Sequence, residues 1–283
     1  MDFQQEVQQR ILSYADNLEL QKSAREFLGI TILNKYCYNY SWASRPIIQY
    51  PQDICAMQEI IYKIKPDLII ETGIAHGGSL IFSAAQLALL DYCENIPMNK
   101  SKRRVLGIDI DIRAHNKQAI LEHPLSPLIT MFEGSSVAET MIQKVRDFAN
   151  NYNKILVCLD SCHTHEHVLK ELEAYAPLVS ENSYCVVFDT IIETLPADVF
   201  TDERPWHKGN SPMTAVNAFL ENHPKFEVDP IPTLKTLITS VENGFLRRKA
   251  KITGGGGLTT NAFSPKKIWL YFLKIRVLKK WSF

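Results

Sequence analysis

The sequence predicts an open, doubly wound α/β fold, a mostly parallel sheet with helices on both faces, preceded by an N-terminal helical extension. Three observations predict it. From residue 67 onward, short and almost wholly apolar runs alternate with helical patterns, as strands buried on both faces require. Four of the five runs end on an acid: Glu71, Asp109, Asp160 and Asp189. A glycine-rich turn joins the first run to its helix, where open α/β sheets bind ligands beyond the carboxyl ends of their strands.

The elements follow in order. Residues 3–33 read as helix, broken near Gly29, and the aromatic-rich residues 34–50 as irregular structure. In QDICAMQEIIYKIK the apolar Ile54, Met57, Ile60, Ile61 and Ile64 fall at helical spacing, and Pro66 ends that helix. Strands are predicted at 67–71, 105–109, 128–132, 155–160 and 184–189, with helices at 78–93, 113–122, 137–149, 165–176 and 212–222. Residues 236–241 and 245–248 are expected to close the sheet as a hairpin across Glu242-Asn243-Gly244. This divides the chain into an extension (1–50), a catalytic domain (51–248) and a linker with a basic apolar tail (249–283).

The 283 residues carry 31 basic and 31 acidic side chains, a balance that gives no argument for nucleic acid as a partner. The six cysteines form no CxxC pair, and Cys158 and Cys185 lie in apolar runs, as buried thiols of a reducing compartment would. With no secretory signal at the N-terminus and no run near 18 apolar residues, the expected location is cytoplasmic.

The strongest local feature is Glu71-Thr72-Gly73-Ile74-Ala75-His76-Gly77-Gly78-Ser79. Glycines let backbone approach a ligand, and the helix start offers free N–H groups. The turn is not GxGxxG, and its acid suits a cationic group such as the amino group of an amino-acid ligand. Gly77 and Gly78 are expected to stay small because the ligand's carboxylate approaches there. Asp109 or Asp111 at the second strand would accept from ribose hydroxyls, although Asp111 could equally cap the next helix. Gly134, Ser135 and Ser136 could receive a base edge, or the serines could cap helix 137–149.

The fourth strand leads into Asp160-Ser161-Cys162-His163-Thr164-His165-Glu166-His167. Three alternate histidines raise the alternative of a metal-dependent hydrolase using His163, His165 and His167. The zinc-hydrolase pattern HxHxDH has a different interval, and His165 and His167 read better as interhelical residues. Asp160 and Asp189 end adjacent strands, and hard carboxylates on one rim suit Mg²⁺. A divalent ion on an acceptor hydroxyl lowers its pKa, and His163 is placed to act as general base.

At these residues the chain resembles the cephalosporin-hydroxylase/rhamnosyl O-methyltransferase family. The resemblance is carried by PQDICAMQEIIYKIKPDLIIETGIAHGGSL, VLGIDIDIRAHN, EGSSV, LDSCHTHEHVLKELEAYAPLV, YCVVFDTIIETLPAD and RPWHKGNSPMTAV, in order from about Trp42 to about Arg248. It implies a Rossmann-like class I methyltransferase that uses S-adenosylmethionine to methylate a hydroxyl of a sugar, glycolipid or secondary metabolite. It implies cofactor binding by Glu71, Gly73, Ala75, Gly77, Gly78 and Ser79 of the turn, by Asp109 on the ribose, and by Gly134, Ser135 and Ser136 near the adenine; Asp111 and Asp160 are further cofactor candidates by their places after the strands. Asp160 and His163 would be catalytic. Mg²⁺ would sit on Asp160 and Asp189. Some relatives carry an acidic pair at the end of the fifth strand; here Phe188 replaces one member, which leaves two expectations, that Glu193 substitutes for it or that the metal is weakly held.

The loop Pro205-Trp206-His207-Lys208-Gly209-Asn210 is expected to cover the acceptor, with Trp206 as a stacking surface or a packing anchor. KITGGGGLTTNAFSPKK reads as a linker. IWLYFLKIRVLKKWSF, apolar and basic, suits peripheral contact with anionic lipid or docking on another subunit of a homo-oligomer.

Overall fold

The computed structural model describes residues 2–196 and 204–251. The tail expected beyond residue 251 lies outside the described residues. The strands are β1 (Tyr40–Trp42), β2 (Arg45–Ile47), β3 (Leu68–Thr72), β4 (Arg104–Asp109), β5 (Ile129–Glu133), β6 (Ile155–Leu159), β7 (Tyr184–Val187), β8 (Phe226–Val228) and β9 (Phe245–Arg248). The α-helices are α1 (Phe3–Tyr14), α2 (Leu18–Leu33), α3 (Pro51–Ile64), α4 (Gly78–Cys93), α5 (Ala114–Leu121), α6 (Glu139–Ala149), α7 (His165–Tyr175), α8 (Pro212–Asn222) and α9 (Pro230–Thr236).

The main sheet runs β5-β4-β3-β6-β7-β9-β8. The pairs from β5 to β7 are parallel, and β9 lies antiparallel between β7 and β8. Strand order reverses between β3 and its neighbours β4 and β6, which opens the crevice at their carboxyl ends. Both faces are covered. The apolar faces of α6, α7 and α8 bury one side, with Leu172, Tyr175 and Phe219 at its centre. Residues of α3, α4 and α5 bury the other, around Ile61, Leu80 and Ile120.

The structure departs from the sequence reading in three places. The N-terminal break falls at Ala15–Asn17, not at Gly29. Asn17 caps α2, its side chain accepting from Leu20 N at 3.0 Å. Gly29 lies inside a continuous helix; one interior glycine costs only about 1 kcal/mol relative to alanine, and Leu28 is anchored against Tyr50, Ile191 and Leu195. Second, residues 40–47 form an antiparallel hairpin, turned by Ala43 and Ser44 at φ 44° and 71°. Third, β9 pairs with β8, not with 236–241. Asp229 and two prolines start α9 instead. The next residues bind Asp53 of α3, whose buried carboxylate accepts from the Thr239 hydroxyl, from Ser240 N at 2.9 Å and from the Ser240 hydroxyl at 3.0 Å.

Candidate active site

The glycine turn leaves β3 at the crevice and enters α4. Gly73 has φ +87°, and a Cβ there would stand 2.0 Å from the Asp160 carbonyl oxygen, so β3 and β6 can part only over a glycine. Gly77, at φ +83°, lies against Ile120, and Ala75 also takes a left-handed conformation at φ 47°. The space beside Gly78 is not reserved for a ligand. A Cβ there would meet the carbonyl oxygen of Pro46 at 2.1 Å, so Gly78 is small because β2 crosses the start of α4.

Below the turn, a small cavity is lined by Glu71, Gly73, Ser79, Asp160 and Phe188, with Gln49 closing it from the extension side. Glu71 is buried, and the Ser83 hydroxyl donates to it. Burial raises the Glu71 pKa, while the Ser83 and Ser79 hydroxyls pull it back. Asp160 is pushed well above the usual carboxylate range by burial, then by Asp189 and Glu71. Acids crowded in this way favour a cation among them.

Asp109, at the end of β4, bridges two loops. Its Oδ2 accepts from Ile74 N at 2.7 Å and Ala75 N at 3.2 Å, and its Oδ1 from Asp111 N at 3.2 Å. Asp111 is exposed and caps no helix; Arg113 occupies the N-cap of α5. After β5, Gly134 takes φ +140°. Neither following serine caps α6, whose N-cap is Ala138 without a side-chain bond.

The three histidines after β6 diverge. His163 Nε2 lies 3.3 Å from Asp189 Oδ2. His165 Nδ1 is 2.8 Å from the Thr214 hydroxyl of α8. His167 turns to Ser136, Ser161 and the buried Glu171. No shared ligand sphere forms among them, which removes the hydrolase alternative. Asp160, His163 and Asp189 instead bring one ligand atom each within 4.8 Å of one another. Two carboxylates and an imidazole on one rim suit a divalent cation. Glu193 is not in this group and does not substitute for an acid at position 188. Its carboxylate accepts from Gly209 N and the Ser211 hydroxyl, each at 2.8 Å, which pins the loop before α8. Trp206, on that loop, meets the His163 ring edge to face at 4.9 Å.

Three supports were not anticipated from the sequence. Arg45 of β2 donates to His76 O at 2.6 and 3.0 Å and to Asn116 Oδ1 at 2.9 Å, while Asn116 donates to Ala75 O, so hairpin, glycine turn and α5 are tied together. Glu171 accepts from Ser136 at 2.6 Å and Ser161 at 2.7 Å, joining the loops after β5 and β6. The Glu171 spacing from His167, i to i+4 on α7, was the available signal. Gln49 is the third; nothing in the local pattern separates it from an ordinary loop residue.

The family described as Rhamnosyl O-methyltransferase/CmcI matches residues 34–249. The rhamnosyl O-methyltransferase of Mycobacterium leprae (strain TN) is 29% identical over 212 residues, covering 74% of this chain and 83% of that protein. Its counterpart in Mycobacterium bovis (strain BCG / Pasteur 1173P2) is 30% identical over 198 residues, covering 69% and 73%. Among solved structures, apo CmcI superposes with a TM-score of 0.52 at 18% identity, covering 76% of this chain and 78% of that one. CmcI with Mg and SAM gives 0.51 at 17% identity, covering 75% and 78%. These superpositions share the doubly wound fold described above.

Proposed function

The chain belongs to the rhamnosyl O-methyltransferase/CmcI family, and from that premise we propose that it transfers the methyl group of S-adenosylmethionine to a sugar hydroxyl with the help of Mg²⁺. The enzyme class is that of an S-adenosylmethionine-dependent O-methyltransferase. The observation that carries the reading is convergence. The glycine turn after β3, Asp109 after β4, and Asp160, His163 and Asp189 after β6 and β7 all meet on one rim of one crevice.

The assignment of roles follows from chemistry. Glu71 and Asp160 suit the cofactor's amino group, and the free N–H groups at the start of α4 suit its carboxylate. Asp109 is assigned to the ribose. It orders the turn through Ile74 and Ala75 and keeps acceptor lone pairs for hydroxyl donors. Gly134, Ser135 and Ser136 are assigned to the adenine side, with Ser136 acting through its backbone because its hydroxyl is held by Glu171.

Asp160 and Asp189 would hold the metal ion, which when bound lowers the pKa of an acceptor hydroxyl. The His163 imidazole is placed to take that hydroxyl's proton, and Asp189, 3.3 Å from its Nε2, would stabilise the resulting imidazolium. Trp206, held against His163, offers an aromatic face to a sugar ring.

The acceptor class is taken from the relatives' name, rhamnosyl O-methyltransferase. Titration calorimetry with S-adenosylmethionine, followed by methyl transfer to a rhamnoside with and without EDTA, tests the reading. Absence of cofactor binding would refute it. No helix among the described residues is long and apolar enough to cross a membrane. A cytoplasmic location, self-association and peripheral membrane contact through the tail within residues 249–283 complete the proposal. Sedimentation of the full chain, alone and with anionic vesicles, measures the last two.

A further inference from the structure

We propose that Gln49 binds the carboxylate of the aminoacyl end of S-adenosylmethionine; the proposal rests on the cofactor reading above. Gln49 is 8% exposed and lines the cavity beneath the glycine turn. Its side-chain amide has no hydrogen-bond partner among the described residues. The residue is almost wholly buried, yet its amide is not sealed into the protein, so its donors stay free for a group that enters the cavity it lines.

The chemistry of the cavity selects the ligand group. Two lining side chains, Glu71 and Asp160, are acids, and no Lys, Arg or His lines it. They suit the ammonium of an amino acid and repel its carboxylate. The Ser83 and Ser79 hydroxyls both point to Glu71. Among the lining side chains, Gln49 alone carries nitrogen donors. A zwitterionic group entering with its ammonium toward the acids therefore meets the Gln49 amide and the start of α4 with its carboxylate.

The backbone around Gln49 is held for this purpose from both sides. Upstream, β2 crosses Gly78 and Arg45 is fixed to His76 and Asn116. Downstream, the Tyr50 hydroxyl lies 3.0 Å from the Thr31 hydroxyl of α2, and Pro51 begins α3. The N-terminal segment thus supplies one wall of the cofactor site, and Gln49 is its polar contact.

The test is titration calorimetry on the full chain with two probes, S-adenosylmethionine and decarboxylated S-adenosylmethionine, which keeps the amine and lacks the carboxylate. Gln49→Ala should weaken the first roughly tenfold or more, as loss of a hydrogen bond to a charged group does. It should leave the second within about twofold, since that probe has no carboxylate to lose the bond. Gln49→Glu should weaken S-adenosylmethionine further while preserving or improving binding of the decarboxylated probe, an opposition that a folding defect cannot produce. Equal weakening of both probes, or unchanged S-adenosylmethionine affinity, would overturn the assignment. Wild-type protein binding neither probe would overturn the cofactor reading itself, and it is told apart because the failure appears before any substitution.

Discussion

His163 and Asp189 face each other across the ends of β6 and β7, with Nε2 and Oδ2 3.3 Å apart. The contact brings a base and an acid from separate loops into the volume that Asp160 also faces. His163→Ala should leave S-adenosylmethionine affinity nearly unchanged and lower turnover by roughly 10²–10⁴ if the imidazole is the base. Metal affinity measured on the same sample separates two roles. Retained affinity fits the base; lost affinity would make His163 a ligand and assign proton removal elsewhere.

The metal site makes a second prediction. Asp189→Asn should weaken Mg²⁺ binding and mimic EDTA, and added Mg²⁺ should restore the chelated wild type but not the variant. Glu193→Gln should leave Mg²⁺ affinity as it was, because that carboxylate holds Gly209 and Ser211. Calorimetry with Mg²⁺ on both variants is decisive; an Mg²⁺ defect confined to Glu193→Gln would reverse the assignment.

Much of this was legible in the sequence because it is local. The apolar runs of β3, β4, β6 and β7 and the acids after them need no knowledge of the fold. Helices α4 and α8 begin and end where expected, at 78–93 and 212–222; Gly77-Gly78 was the local start signal of the first, and the structure adds a Ser211 cap before Pro212 for the second. What was not legible depends on distant partners. The three-residue strands β1, β2 and β8 bury too little to show a period, and Ala43-Ser44 is unusual chemistry for a turn that needs positive φ. Glu193 looked available because Gly209 and Ser211 stand 16 and 18 residues away. Gly78 looked like a ligand contact because Pro46 is brought over it only by the tertiary fold.

Gly78 accordingly has a structural test. Gly78→Ala would set a methyl group against the backbone of Pro46 and Ile47, which cannot yield as a flexible side chain does. Displacement of β2 should lower the melting temperature and loosen the hairpin, with overpacking of this kind costing about 1–3 kcal/mol. Hydrogen exchange across residues 40–50 is the readout. A variant with weakened cofactor binding but unchanged exchange and melting would show that the methyl group meets the ligand and not the hairpin.

Asp109 couples binding to loop order. Asp109→Ala removes the acceptor for Ile74 N and Ala75 N as well as the proposed ribose contact. S-adenosylmethionine affinity should fall about ten- to a hundredfold, since hydrogen bonds to a charged group contribute roughly 1.5–3 kcal/mol. Asp111→Ala, altering an exposed side chain, should have little effect. A larger loss in Asp111→Ala than in Asp109→Ala would transfer the ribose role to the second acid.

The buried Asp53 sets a pH dependence whose sign is fixed. Burial raises its pKa from 3.8 to about 6, against the lowering effect of the bonds from Thr239 and Ser240. Between those two values the folded state holds a proton that the unfolded chain releases, so stability must rise as pH falls through that window. The contribution is fully present below the unfolded value and is lost as pH rises through about 6. By linkage it amounts to roughly 3 kcal/mol at most. Asp53→Asn cannot titrate, so the wild type should lose stability relative to the variant on going from pH 5 to pH 7.5. The absolute level of the variant is a separate matter, because its amide cannot accept from both Thr239 and Ser240 N as the carboxylate does. Urea unfolding of both proteins at several pH values gives the difference in slope directly. Parallel curves would mean that Asp53 stays charged in the folded protein and that Thr239 and Ser240 offset its burial.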